Sequence, residues 1–394
     1  MRRRVAITGV GVACGGARDF ESFGTMLFSG RGCLRPVPEL SEVHGLVPFV
    51  AGVDDELAAP LDDAGARFAA LSDLAADGLM ADAGLNRETL SAMGGSCRLF
   101  LGTLGHRQGA IRRDAVERLA GRQGEAMARA NDGIARLAAR LGVRGAATVA
   151  SAACASGGTA AMLALEAVRS GLCETAVLAG VDGLSSENIS FFQVMQAMSP
   201  GEARPFDAAR DGMNVGEGAA MLLLEPMERA QERGAKIYGE LLGGAVGNEA
   251  FNPAAPRPDG EGARRTMEAA LRDAGVEAKE IGYIDAHGTG TAANDAAEMK
   301  AIEAVFGNTG REVAVASTKA IVGHTMGAAG VLELVSALAA LTERKYVPLP
   351  RLENSIATAD NLRLSATSFS HESDCALSNS LAFGGNTAAL VVRV

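Results

Sequence analysis

Tryptophan is absent from these 394 residues, tyrosine occurs only three times, and no two cysteines form a CxxC pair. The six cysteines (Cys14, Cys33, Cys97, Cys154, Cys173, Cys375) lack metal-ligand spacing, which excludes a zinc module or a disulfide framework and points to free thiols in a reducing compartment. An excess of basic charge is also missing: the net charge of −10 argues against a general nucleic-acid binder. Long runs of Leu, Ile, Phe and Val are absent too. The uncharged stretch 145–165 could span a bilayer by length, but it consists mostly of Ala, Ser, Gly and Thr, which insert poorly. The N-terminal MRRRVAITGVGVACGGA imitates a signal peptide. Its apolar part is β-branched and broken by Gly9 and Gly11, so residues 4–12 read as an opening strand and turn. A soluble, cytoplasmic protein without metal or membrane contact is expected.

What is present is small and apolar: 49 glycines and a dominance of Ala, Val and Leu suit closely packed strand and helix layers. The length exceeds one ordinary core, so one large or two fused α/β units are expected. GVGVACGG after the first strand leaves a dinucleotide loop, and with it an oxidoreductase, only as a weak alternative, because Gly15 falls one place late for the third glycine. Residues 17–60 carry Pro36, Pro38 and Pro48 and read as irregular. Residues 66–84 form an amphipathic helix with Phe68, Leu71, Leu74, Ala75 and Leu79 on one side, 97–102 a short strand, and 106–141 a charged helical region.

The chain is organised around AATVASAACASGG, residues 146–158. Residues 146–153 read as a buried strand, Gly157 and Gly158 as a tight junction, and Thr159 onward as a helix. Cys154 thus sits at a strand-to-helix turn, where the positive end of the macrodipole favours a thiolate. The alternative is that a cysteine among alanines is a small buried hydrophobe. VASAACASG at 149–157 is echoed by VASTKAIVGHTMG at 315–327, and Ala219–Leu224 by Ala388–Arg393, in the same order. These echoes suggest a duplicated α/β half, divided as 1–235 and 236–394, with Cys154 and His324 in equivalent positions and brought together by a pseudo-twofold axis. Only five histidines occur, and two fall in glycine-rich, strand-ending segments, His287 in YIDAHGTGT and His324 in STKAIVGHTMG. A cysteine nucleophile with two imidazoles can hold an acyl group as a thioester and present N–H donors to a second carbonyl.

With RRVAITGVGV, TVASAACASG, ARPFDAARDGMNVGEGAA, DAHGTGTAANDAAE, STKAIVGHTMG and a late FGG in order, the chain resembles the β-ketoacyl-[acyl-carrier-protein] synthases of the two-histidine type. The resemblance covers nearly the whole length. It implies a thiolase-like fold, two α/β halves in a five-layer αβαβα arrangement, and decarboxylative condensation of an acyl chain with malonyl-carrier. Cys154 would carry the acyl chain, its N–H and that of Phe383 would hold the oxyanion, and His287 and His324 would bind the malonyl thioester. Lys319 and Glu298 would form a supporting ion network, Thr289 and Thr291 would bond the phosphopantetheine arm, and Phe383 would be a gate. No cofactor is implied beyond the carrier's phosphopantetheine. The implied partners are acyl carrier protein and a second, identical or chain-length-factor-like subunit, with the strand before Cys154 at the contact. Arg67, Arg112, Arg113 and Arg129 are candidates for docking the acidic carrier.

Two segments depart from the family pattern: Leu381 and Ala382 precede Phe383 and Asn386-Thr387 are inverted, while 101–109 reads LGTLGHRQG. Alanine in place of glycine restricts φ, so a differently moving gate is expected. Both departures favour a specialised polyketide or aryl-polyene chain as the alternative to fatty-acid-like synthesis. A non-catalytic chain-length partner would lack the nucleophile, and Cys154 argues against it.

Overall fold

The computed structural model describes residues 2–37, 49–52, 63–105, 114–115, 117–121 and 132–394. Its main sheet is built from β1 (Val5–Ala13), β2 (Cys97–Gly102), β3 (Ala147–Ala150), β4 (Thr175–Asp182) and β5 (Gly218–Pro226) of the first half. The second half adds β6 (Gly239–Asn248), β7 (Tyr283–Asp285), β8 (Val313–Ala316), β9 (Leu362–Arg363), β10 (Cys375–Leu381) and β11 (Asn386–Arg393). The spatial order is β9-β8-β7-β10-β11-β6-β1-β5-β4-β2-β3. Read outward from the centre, each half repeats one plan, two antiparallel steps and then two parallel ones, and β9 adds a third parallel step to the second half. The halves meet where β1 pairs antiparallel with β6, Ala6 opposite Glu240 and Ile7 opposite Gly239. The two sequence echoes occupy equivalent places: β3 corresponds to β8, and β5 to β11.

The strands alternate between two cores. In β5, Ala220, Leu222 and Leu224 face the central core, whereas Ala219, Met221 and Leu223 face an outer one. Both faces are buried, and that is why these strands read as continuous apolar runs rather than alternating ones. The outer core of the first half is closed by α1 (Ala64–Asp82) and α2 (Asp132–Leu141), with Phe68, Leu71, Ala75 and Leu79 of α1 pointing inward as the helical period predicts. The central core holds α3 (Ser156–Arg169), and α4 (Ser186–Val194) follows β4 near the site. The second outer core is closed by α5 (Glu261–Ala274) and α6 (Ala292–Phe306). Beside α3 in the centre lies α7 (Ala329–Glu343). Outer helices, one arm of the sheet, central helices, the other arm and outer helices make the five layers. The segment 326–343 is apolar enough to cross a membrane, yet 89% of it is buried, as the core helix of this arrangement.

Three expectations shift. Residues Phe20–Ser29, read as irregular, form a helix closed by an Asp19/Ser22 capping box. The strand before the nucleophile stops at Ala150, because Ala153 turns left-handed with φ +50°. The following helix starts earlier, at Ser156. The starts of α3 and α7 touch through glycine. A Cβ at Gly157 would stand 2.9 Å from the Val331 nitrogen, and one at Gly330 would stand 2.6 Å from the Gly158 nitrogen. Gly330→Ala therefore costs ~1–3 kcal/mol through overpacking against main chain that cannot yield. A thermal unfolding midpoint equal to the wild type's would contradict this contact.

Candidate active site

Main-chain strain and a single hydroxyl set the nucleophile turn. The Ser156 hydroxyl accepts from the Ala152 N–H at 2.9 Å and donates to the Ala153 carbonyl at 2.5 Å, holding the left-handed Ala153 just before Cys154. Cys154 then opens onto a cavity of about 340 Å³ that is also lined by His287, His324, Thr289, Thr291 and Phe383. The first half supplies the sulfur and the second half both imidazoles. His287 follows β7, and His324 lies on the segment joining β8 to α7. The two rings meet edge to face, with centroids 5.3 Å apart and planes at 87°.

Both histidines are neutral donors. Burial pushes each well below the ordinary imidazole range, the nearby Lys319 adds to this, and for His287 so does His324. The Met326 N–H donates to His324 Nδ1 at 3.2 Å, which leaves the proton on Nε2. Phe383 stacks on Phe192 at 6.0 Å and meets Phe191 edge-on at 6.1 Å. Thr289 and Thr291 share a hydroxyl–hydroxyl bond of 2.9 Å.

Family models match two consecutive stretches: the beta-ketoacyl synthase N-terminal domain over residues 2–230, and its C-terminal domain over 238–353. The chain belongs to the β-ketoacyl synthase family. Nodulation protein E of Rhizobium sp. (strain N33) is 31% identical over the full length of both chains. The 3-oxoacyl-[acyl-carrier-protein] synthase 2 of Synechocystis sp. is 38% identical over 263 residues, 65% of this chain and 63% of that enzyme, so the match spans just under two thirds of that relative. Among solved structures, the ishigamide ketosynthase/chain length factor superposes with a TM-score of 0.88 at 31% identity, covering 100% of both chains. A ketosynthase (ApeO) in complex with its chain length factor (ApeC) from Xenorhabdus doucetiae gives 0.81 at 27% identity, covering 100% of this chain and 98% of that one.

Within this family frame, four expectations are corrected. Cys154 is only 6% exposed, and burial pushes its thiol from an ordinary 9.0 up to about 12, with Lys319 pulling the other way. That shift is worth ~4 kcal/mol, whereas a helix end supplies at most ~2 kcal/mol, so burial wins and the resting group is a thiol. Second, Lys319 does not pair with Glu298; it forms its ion pair with Glu333 of α7. Glu298 is occupied elsewhere, accepting the His287 and Gly288 N–H groups at 2.8 Å each and the Asn379 amide at 2.7 Å. It fixes the main chain under the histidine instead of neutralising the lysine. Third, Ala382 is extended (φ −149°, ψ 158°), a conformation open to any residue, so alanine imposes no strain on the Phe383 turn as it stands. Fourth, Arg67 is buried in an ion pair with Glu217 and offers no docking surface. Arg112, Arg113 and Arg129 lie outside the described residues.

Glu333, Asn379 and Asp182 were missed by sequence reasoning. Glu333 did leave a signal, as the one charge in VLELVSALAAL, residues 331–341. Burial raises both Glu333 and Glu298 to about 7. Since the thiolate fraction grows tenfold per pH unit below the pKa, alkylation of Cys154 in the free protein, followed by peptide mapping with iodoacetamide, should climb steadily from pH 7 to 9. A plateau below pH 8 would contradict a thiol at rest.

Proposed function

We propose that this protein is a β-ketoacyl-[acyl-carrier-protein] synthase. The observation that carries this reading is that a thiol from one half and two neutral imidazoles from the other line a single cavity. The acyl group of an acyl-carrier thioester moves to Cys154: a new C–S bond forms, the carrier's C–S bond breaks, and the thiol proton ends on the departing carrier thiol. The N–H groups of Cys154 and Phe383 hold the oxyanion, a role supported by the presence of both residues in the cavity wall. Malonyl-carrier then enters, with Thr289 and Thr291 beside its phosphopantetheine arm. His287 and His324 donate to the thioester oxygen as carbon dioxide leaves and enolate charge develops there. The enolate carbon attacks the Cys154 thioester, the C–S bond to the enzyme breaks, and the sulfur takes up a proton. The product is a β-ketoacyl-carrier two carbons longer. The reaction so written uses no cofactor beyond the carrier's arm, and the six free thiols suit the cytoplasm.

A second reading, a ketosynthase of a specialised polyketide or aryl-polyene pathway, is favoured by the full-length likeness to the ishigamide ketosynthase/chain length factor. In either reading a second ketosynthase-like subunit joins at β3. This strand ends the main sheet, and its Ala147 and Thr148 are exposed.

Cys154→Ala should abolish condensation while carbon dioxide release from malonyl-carrier continues. His324→Ala should lower that release by ~100-fold or more while Cys154 still accepts an acyl group. Condensation by the Cys154→Ala protein would overturn the assignment.

A further inference from the structure

Asp182 ends β4 in the first half and is fully buried; it makes no hydrogen bond to the thiol or the imidazoles, and only its field reaches the thiol, adding to the upward push of burial. Among the described residues, every hydrogen-bond partner of its carboxylate is a donor. The Thr103 hydroxyl (2.7 Å) and the N–H groups of Leu104 (3.0 Å) and Gly105 come from the segment after β2. The Gly327 N–H (2.7 Å) comes from the turn that carries His324. A buried carboxylate with four donors and, among the described residues, no ion-pair partner is an acceptor built to hold main chain in place.

We propose that Asp182 is a positioning residue that directs the His324 Nε2–H into the cavity; this rests on the condensing-enzyme reading above. The linkage is short. Asp182 holds Gly327, the next residue back is Met326, and the Met326 N–H fills His324 Nδ1 at 3.2 Å. Met326 is left-handed with φ +53°, a conformation that a bulky side chain keeps only when its neighbours enforce it. The bond from Gly327 to Asp182 is the enforcement on its C-terminal side. Position 327 must be glycine for the turn to close: a Cβ there would come within 2.8 Å of the Asp182 carboxylate and 2.7 Å of the Thr103 main chain. Without this hold the turn relaxes, Nδ1 loses its donor, and the imidazole proton is no longer confined to Nε2. The first half thereby contributes both the nucleophile and the aim of a histidine in the second.

Asp182→Asn keeps the shape but sets an NH₂ against at least one of the four donors. In this variant, carbon dioxide release from malonyl-carrier should fall at least tenfold, while acyl loading of Cys154 stays within about twofold of wild type. Asp182→Glu, which retains the carboxylate, should recover part of the release. Loss of both half-reactions in parallel would mark a merely structural residue and overturn the inference, as would unchanged release. Independently of the variants, ¹⁵N spectra of the wild-type protein should show His324 as the Nε2–H tautomer, and an Nδ1–H tautomer overturns the proposal even if Asp182→Asn does not fold. A wild-type protein that releases no carbon dioxide would instead defeat the condensing-enzyme reading, leaving the tautomer to decide the role of Asp182.

Discussion

The site exists because two helix starts from opposite halves of the chain approach at main-chain distance. Gly157 and Gly330 have no side chains to hold α3 and α7 apart, so the turns that precede these helices open onto one cavity. The join between β1 and β6 places the halves in mirrored order, and the central helices then fill the space between the two arms of the one sheet. Neither half contains the chemistry alone. A duplicated fold of this kind makes a site at its own internal interface, where each copy can diverge: one turn kept a thiol, the other an imidazole.

Desolvation is the second theme, and it pushes the nucleophile, both imidazoles and three buried carboxylates beside them toward their neutral forms. The thiol is raised, the imidazoles are lowered, and Glu298, Glu333 and Asp182 are lifted to about 7, 7 and 6. Neutral donors in a dry cavity suit a reaction whose charge appears only transiently, on an enolate or a tetrahedral oxyanion. The one buried lysine, Lys319, is held by Glu333, and its field adds to burial in keeping the imidazoles from taking up protons.

Much of this was legible in the sequence because it depends on local pattern. The twin echoes around Cys154 and His324, the apolar runs of β4, β5 and β11, and the α1 stripe all follow from period and repetition. What was not legible depends on strand order. Glu298 stands eleven residues after His287 in the chain, yet its carboxylate bends back to that residue's own main chain, while Lys319 finds its partner on a helix that no spacing rule connects to it. Arg67 looked like surface and proved to be an interior cation, because Glu217, the residue just before β5, reaches it. The thiolate expectation failed for a related reason. The turn was placed correctly, but the depth of burial, which outweighs the helix end, comes from tertiary packing by both halves around the cavity.

The convergence of a sulfur and two imidazoles on one cavity is tested most directly by a two-step chase in which an acyl group is first loaded from its carrier and located by peptide mass, and malonyl-carrier is then added. The acyl group is predicted on Cys154, and on the chase it should disappear into a β-ketoacyl-carrier with one carbon dioxide released per turnover. An acyl group carried by another residue, or a Cys154 thioester that survives the chase, would contradict the account.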